Sequence, residues 1–348
     1  MAFPTTTRAE LNSISLAGLL EGDVDAVNDL VSACKTNGFF YLDFRDARTS
    51  QTLKQVDELV DVGNSVFKLP LEEKEKYSTE KHLPSRLQGF SFAVMTLRAR
   101  YKRAGCSVGP FAEKKDGYES FSIHNNGVFG DDILQLPQGF QENLSLVKAF
   151  MSQVHLYTEC ILSILSKALD LPYDLKDCHR KDKPSTANIA LLKYLPWSSD
   201  AEKVGNMAHT DMGTLTVVFT QSEGLQALLP GPSGTDEWSY IPPRPGHAVV
   251  NVGDSLRFLS RGQLVSSLHR VVPPPLPHSP GQDKFSCIYF LRPEFDVKFT
   301  DNSGRQINSV EWHNQKYSLF REASLDPTVH GAMLTGRKGY LGAAEQTV

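Results

Sequence analysis

The stretch Met207-Ala208-His209-Thr210-Asp211-Met212-Gly213-Thr214-Leu215-Thr216-Val217-Val218-Phe219 is rich in β-branched residues and reads as a strand. Residues two apart in a strand point to one face, so His209 and Asp211 project side by side, imidazole next to carboxylate. Sixty residues downstream, His269 closes another apolar, β-prone run, Ser267-Leu268-His269-Arg270-Val271-Val272. Two imidazoles and one carboxylate form the donor set of a facial triad, which leaves open positions on an octahedral Fe(II). A His-x-Asp alone is a weak motif, because most histidines are surface or core residues without a metal. Here it is the only His-x-Asp or His-x-Glu among 10 histidines, and it sits on a strand-like run with a second buried-looking histidine to follow.

Working outward, the chain from about 185 has a β texture. Ala187–Tyr194 reads as one strand, and others follow at 212–220, 224–229, 238–241, 247–251, 256–259, 264–272 and 285–292. Gly and Pro turns separate them, such as Pro230-Gly231-Pro232 and Pro243-Arg244-Pro245-Gly246. Many short strands at near-regular spacing argue for a sandwich or barrel, and inward-pointing metal ligands favour a double-stranded β-helix, the cupin-like jelly roll. Upstream, Val147, Phe150, Met151, Val154, Tyr157, Ile161 and Leu165 recur at helical spacing in a stretch from about 141 to 169. Such a stripe packs on the outer face of a sheet. A helix over 24–37 ends at Asn37-Gly38, and a short buried strand, Phe39-Phe40-Tyr41-Leu42, follows. The expected organisation is mainly β with flanking helices, one domain over 1–348. It comprises an N-terminal region (1–130), a long support helix (131–184), the jelly roll with the iron site (185–300) and a C-terminal helix and tail (301–348).

Composition narrows the function classes. With 348 residues, 40% hydrophobic and 22% charged, the chain can bury a sizeable core. A net charge of −4 gives no reason to expect nucleic acid or an anionic membrane as partner. Five widely spaced cysteines without a C-x-x-C suit reduced thiols rather than a disulfide frame or zinc knuckle. No secretory leader and no run of 18 apolar residues is visible, so cytoplasm is the default expectation.

Several segments together resemble the iron(II)/2-oxoglutarate-dependent dioxygenases, in the branch that includes isopenicillin N synthase. In order, these are Asn37-Gly38-Phe39-Phe40-Tyr41, Leu69-Pro70-Leu71-Glu72-Glu73-Lys74, Lys193-Tyr194-Leu195-Pro196, His209-Thr210-Asp211, Gly224-Leu225-Gln226, the run Pro245–Asp254, and His269-Arg270-Val271. The resemblance covers nearly the whole chain. It implies Fe(II) held by His209, Asp211 and His269, with 2-oxoglutarate and O2 as cosubstrates, release of CO2 and succinate, and most often hydroxylation of a small organic molecule. By family analogy the substrate is a small, partly apolar secondary metabolite or its precursor.

Two departures from the family pattern matter. Relatives follow the distal histidine with Arg-x-Ser, whose Arg forks onto the far carboxylate of 2-oxoglutarate. The aligned stretch here is Lys284-Phe285-Ser286, so a point charge stands in for a planar fork. Lys284 and Ser286 are the candidate anchor, with Arg292 and Arg270 as fallback cations. Leu195 stands where many relatives have a Tyr that touches the cosubstrate. Asn188 and Tyr194 are the nearby candidates for that contact, although strand alternation from Leu195 points Tyr194 to the opposite face. Phe90, Phe92, Tyr118 and Phe121 are candidate pocket walls, and the basic residues Arg98, Arg100, Lys102 and Arg103 a candidate rim facing an acidic substrate. The rival readings are a same-fold Fe(II) oxidase that uses no 2-oxoglutarate, a non-catalytic metal- or ligand-binding cupin, and a zinc hydrolase, which would lack a general base beside the pair.

Overall fold

The computed structural model describes residues 7–78, 100–111, 114–130, 135–196, 202–231, 234–273, 284–320 and 325–341. Two sheets face each other across a cavity. The larger is built from β1 (Ser13–Ser15), β2 (Phe39–Asp43), β3 (Arg100–Lys102), β4 (Tyr118–His124), β5 (Asn188–Tyr194), β7 (Leu215–Thr220), β10 (His247–Val252) and β12 (Lys284–Leu291). The smaller is built from β6 (Asn206–His209), β8 (Leu225–Pro230), β9 (Asp236–Tyr240) and β11 (His269–Val271). The strand orders are β1-β2-β10-β7-β12-β5-β4-β3 and β6-β11-β8-β9. Pairing is antiparallel except for β1 with β2. This is the jelly-roll core that the strand spacing predicts. No helix among the described residues is long and apolar enough to cross a membrane.

Strand alternation gives the large sheet two different faces. Phe121, Ile189, Leu191, Val217, Phe219, Cys287 and Tyr289 are buried in one apolar core with Val147, Phe150, Met151, Val154 and Ile161 of the helix Leu144–Ala168. This is the packing that the helical stripe predicts. The alternate residues, among them Ser120, Asn188, Thr216, Thr220, Lys284 and Ser286, look into the cavity. Burial of the large apolar side chains on the helix side is the main source of stability, at about 1.5–3 kcal/mol for each relative to exposure.

Local chemistry sets the element ends. Asp23 caps the helix Val24–Thr36 by accepting from the Ala26 amide at 2.8 Å. Gly38 then turns the chain into β2 with φ +63°, and a Cβ there would run into the carbonyl oxygen of Val265, so glycine is required on both counts.

The stretch from Met207 to Phe219 is not one strand. β6 ends at His209, and residues 210–214 carry the chain across to the opposite sheet, where β7 starts at Leu215. The crossing is fixed by main-chain bonds to the segment after β10: Asp254 N donates to Asp211 O (2.7 Å), Gly253 N to Thr214 O and Ser255 N to Gly213 O (2.9 Å each). Gly213 passes so close to Leu291 that a Cβ would sit 2.7 Å from its carbonyl oxygen. Three further expectations need correction. Residues 254–259 form a helix, Asp254–Leu259, because a short apolar run carries no period that separates helix from strand. Of 264–272 only His269–Val271 is strand. The C-terminal region holds two helices, Ser309–Leu319 and Pro327–Thr335.

Candidate metal centre and its cavity

His209 and His269 are direct cross-strand partners of β6 and β11, which is how side chains 60 residues apart meet. Their ring centroids are 4.4 Å apart. Asp211, just past the end of β6, brings its Oδ1 to 3.6 Å from His209 Nε2 and 3.8 Å from His269 Nε2. All three ligand atoms lie within 4.8 Å of one another, and all three residues are buried.

Each donor is oriented by a neighbour. His209 Nδ1 contacts the carbonyl oxygen of Met207 at 2.9 Å, and His269 Nδ1 that of Ser267 at 3.1 Å. With Nδ1 donating to a carbonyl, each ring presents the Nε2 lone pair to the centre. Asp211 Oδ2 accepts from Thr216 Oγ1 (2.6 Å) and Asn251 Nδ2 (2.7 Å), which leaves Oδ1 to face the imidazoles. Burial, then the neighbouring His209 ring, push His269 down to about 4. Burial acts to raise Asp211, but the His269 and His209 rings and the Asn251 amide hold it far below the usual carboxylate range. At neutral pH His269 is therefore an uncharged imidazole and Asp211 a carboxylate, the protonation states in which these groups suit Fe(II). Phe39 packs edge-on against His269 and Phe320 against His209.

A buried ion pair backs the motif from outside. Lys316, with no exposed surface, donates to Asp254 Oδ2 and at 2.6 Å to Thr210 Oγ1, and the Thr210 amide donates to Leu334 O at 3.0 Å. Asp254 is thereby a buried link between the crossing that carries Thr210 and Asp211 and the C-terminal helices.

The centre opens on a cavity of about 270 Å³. Lys284 and Ser286 line one end of it. Lys284 Nζ donates at 3.3 Å to the carbonyl oxygen of Glu223, and Ser286 Oγ to Thr220 Oγ1 at 3.1 Å. Burial pulls Lys284 below the ordinary lysine value, with Glu223 acting weakly in the other direction. A partly desolvated ammonium beside two hydroxyls is a fitting receptor for a carboxylate. Tyr118 and Tyr194 line this end too, with ring centroids 5.4 Å apart, in register with Lys284 across β4, β5 and β12. Tyr194 thus faces inward, because β5 presents its even-numbered residues to the cavity.

Other candidates are placed elsewhere. Asn188 also faces the cavity, but six residues along β5 from Tyr194, and its Oδ1 accepts from Arg292 at 3.1 Å. It is not beside Lys284. Phe121 is not a pocket wall: it lies on the other face of β4, packed against Phe67, Tyr101 and Phe140. Arg270 points away from the cavity, bonded to Gln226 and stacked on Trp238 at 4.0 Å. Phe90, Phe92 and Arg98 lie outside the described residues. Arg100 and Lys102 line the cavity, with Lys102 paired to Asp116 and lying over the Tyr118 ring, whereas Arg103 is turned out towards Glu75. Asn251, Thr216 and Lys316 escaped the sequence reading. Asn251 stands within the Pro245–Asp254 run and Thr216 within the Met207–Phe219 stretch, whereas Lys316 lies in none of the quoted segments.

Comparison with known proteins accords with this geometry. Residues 186–293 match the 2OG-Fe(II) oxygenase superfamily, and residues 11–132 the N-terminal model described as non-haem dioxygenase in morphine synthesis. A 2-oxoglutarate-dependent dioxygenase of Gibberella zeae is 32% identical over 90% of this chain and 88% of its own length. The 2-oxoglutarate-dependent dioxygenase gloE of Glarea lozoyensis is 33% identical over the same shares, 90% and 88%. Among solved structures, full-length Neurospora crassa T7H in complex with alpha-KG has the same fold, with a TM-score of 0.68 and 19% identity over 88% of this chain and 96% of that one. By a likeness of sequence that extends over nearly its whole length, the chain belongs to the 2-oxoglutarate-dependent Fe(II) dioxygenases.

Proposed function

We propose that His209, Asp211 and His269 hold the iron, and that Lys284 and Ser286 receive the far carboxylate of 2-oxoglutarate while this enzyme hydroxylates a small, partly apolar organic molecule. By family analogy that molecule is a secondary metabolite or its precursor. The observation that carries the reading is the convergence of two imidazole Nε2 atoms and one carboxylate oxygen within 4.8 Å on the wall of a cavity. Iron, 2-oxoglutarate and O2 supply the oxidising power when bound, with CO2 and succinate as the by-products. The chain's own part is to orient and to exclude. The Met207 and Ser267 carbonyls fix the imidazoles, Asn251 and Thr216 fix the carboxylate, and Ala190, Leu192, Val218, Ile288 and Phe290 give the cavity apolar walls. The reaction requires no further acid or base from the protein.

The test is anaerobic titration of the protein with Fe(II) and then 2-oxoglutarate. A weak visible charge-transfer band is expected for the chelate, absent in His269→Ala, and a shift of that band on adding candidate molecules screens for the substrate. An iron-loaded protein that gave no band at saturating 2-oxoglutarate would sink the assignment.

A further inference from the structure

β12 presents a cation to the cavity at each of its ends. Lys284 stands at the start and Arg292 just past the finish, eight residues on and so roughly 26 Å away along an extended chain. In the function proposed above, on which a role for the second cation depends, 2-oxoglutarate takes up Lys284. Arg292 has no such occupant. It is half-buried, and its Nη1 donates to the Thr186 carbonyl (2.6 Å) and to Asn188 Oδ1 (3.1 Å), both neutral acceptors, while its Nε atom is buried without a hydrogen-bond partner. Burial brings its pKa down to about 10, with Asp211 opposing from the metal side.

Around Arg292 gather Arg100 from β3, His124 from the end of β4, and His313 and Tyr317 from the helix Ser309–Leu319. His124 is only 3% exposed, lines the cavity, and neither ring nitrogen has a hydrogen-bond partner. Burial, reinforced by Arg100 and Arg292, keeps the His124 and His313 rings well below the ordinary histidine value. Among the described residues, the only carboxylates lining the cavity are Asp211, turned to the imidazoles, and Glu223, beside Lys284 at the far end. Buried polar nitrogens without partners are costly, and a guanidinium without a carboxylate more so, unless a ligand completes them.

We propose that this end of the cavity, formed by Arg292, Arg100, His124 and His313, binds a carboxylate of the organic substrate. The enzyme then acts on a carboxylic acid, held by its anionic group at Arg292 with its apolar body reaching back along Phe290 to the metal centre. The guanidinium offers a fork suited to a carboxylate, and His124 a further donor. Two cations at opposite ends of one strand keep cosubstrate and substrate apart by giving each carboxylate its own receptor.

The experiment uses the Fe(II)-loaded, 2-oxoglutarate-saturated protein under argon, so that nothing turns over. A set of small acids (butanoate, glutarate, phenylacetate, 4-hydroxybenzoate) and their amides are measured for binding by calorimetry and ligand-observed NMR. At least one acid is expected to bind ten-fold or more tighter than its amide, without displacing 2-oxoglutarate. Arg292→Gln should erase that preference and leave the Kd of 2-oxoglutarate within about two-fold. Arg100→Gln, on the short edge strand β3, should reduce it several-fold and serves if Arg292→Gln does not fold. Lys284→Ala should show the converse pattern. Acids and amides that bind alike, acids that bind only by displacing 2-oxoglutarate, or a preference that survives both arginine variants would each overturn the proposal. Failure of the underlying reading looks different: 2-oxoglutarate itself would give no band with Fe(II), before any acid is added.

Discussion

The metal centre and the Lys284 end of the cavity are held by different means. Both imidazoles are aimed by main-chain carbonyls two residues before them, they are paired by sheet register, and Asp211 is fixed by two short side-chain bonds. Lys284 is a flexible side chain whose ammonium rests 3.3 Å from one carbonyl oxygen. The first site is written into the backbone and leaves no freedom of residue type. If Lys284 receives the cosubstrate as proposed, that end asks only for a cation within reach, a role a lysine can fill. Substitutions at the first should therefore act nearly all-or-none, and at the second by degrees.

The largest effect is expected at the ligands. Asp211→Ala or His269→Ala should lower turnover by more than about a thousand-fold and remove high-affinity iron binding, while the circular dichroism spectrum stays that of the parent. An aspartate variant that kept iron and activity would mean that the backbone does not define the centre.

Lys316→Met comes next. It leaves buried Asp254 with only the more distant Arg257, 3.7 Å away, as its cation and should lower unfolding free energy by up to about 3–5 kcal/mol, read from denaturant melts. Iron affinity measured alongside sharpens the comparison. If Thr210 and Asp211 are held in place through Asp254, iron should weaken as well; if the carbonyls suffice, only stability falls. Asn251→Ala touches the carboxylate directly and should weaken iron about 10–100-fold with a smaller loss of stability.

Much of this architecture is legible in the chain, and the exceptions have physical reasons. The triad residues can be read because a histidine two positions from an aspartate is rare here and the β texture is strong. The crossing at 210–214 cannot, since Thr210 and Thr214 keep the β-branched character on both sides of it and the break shows only in contacts made on folding, the main-chain bonds to Gly253, Asp254 and Ser255 and the approach of Gly213 to Leu291. Tyr118 and Phe121 cannot both be pocket walls, because three residues apart on one strand they face opposite ways, so the two-residue period alone would have removed one of them. Lys316 has no signature: a charged residue on a short helix reads as solvated until Asp254 is seen across from it. Arg292 and His124 are legible only as residues, since what distinguishes them is the company that folding brings.

The smallest effects belong to the Lys284 end, where degree rather than presence is at stake. Lys284→Ala should raise the Kd of 2-oxoglutarate about 10–100-fold, the worth of one charge-assisted contact. Ser286→Ala should raise it only a few-fold, since a neutral hydroxyl that already bonds Thr220 contributes about 1 kcal/mol. Lys284→Arg is the informative member of the series. If the site needs only positive charge, arginine should match lysine or improve on it through a second hydrogen bond. A large loss in Lys284→Arg would instead mean that the wall formed by Tyr118, Tyr194 and Thr220 is shaped around the narrower ammonium, so that this end is specified as tightly as the metal centre and the contrast between them fails.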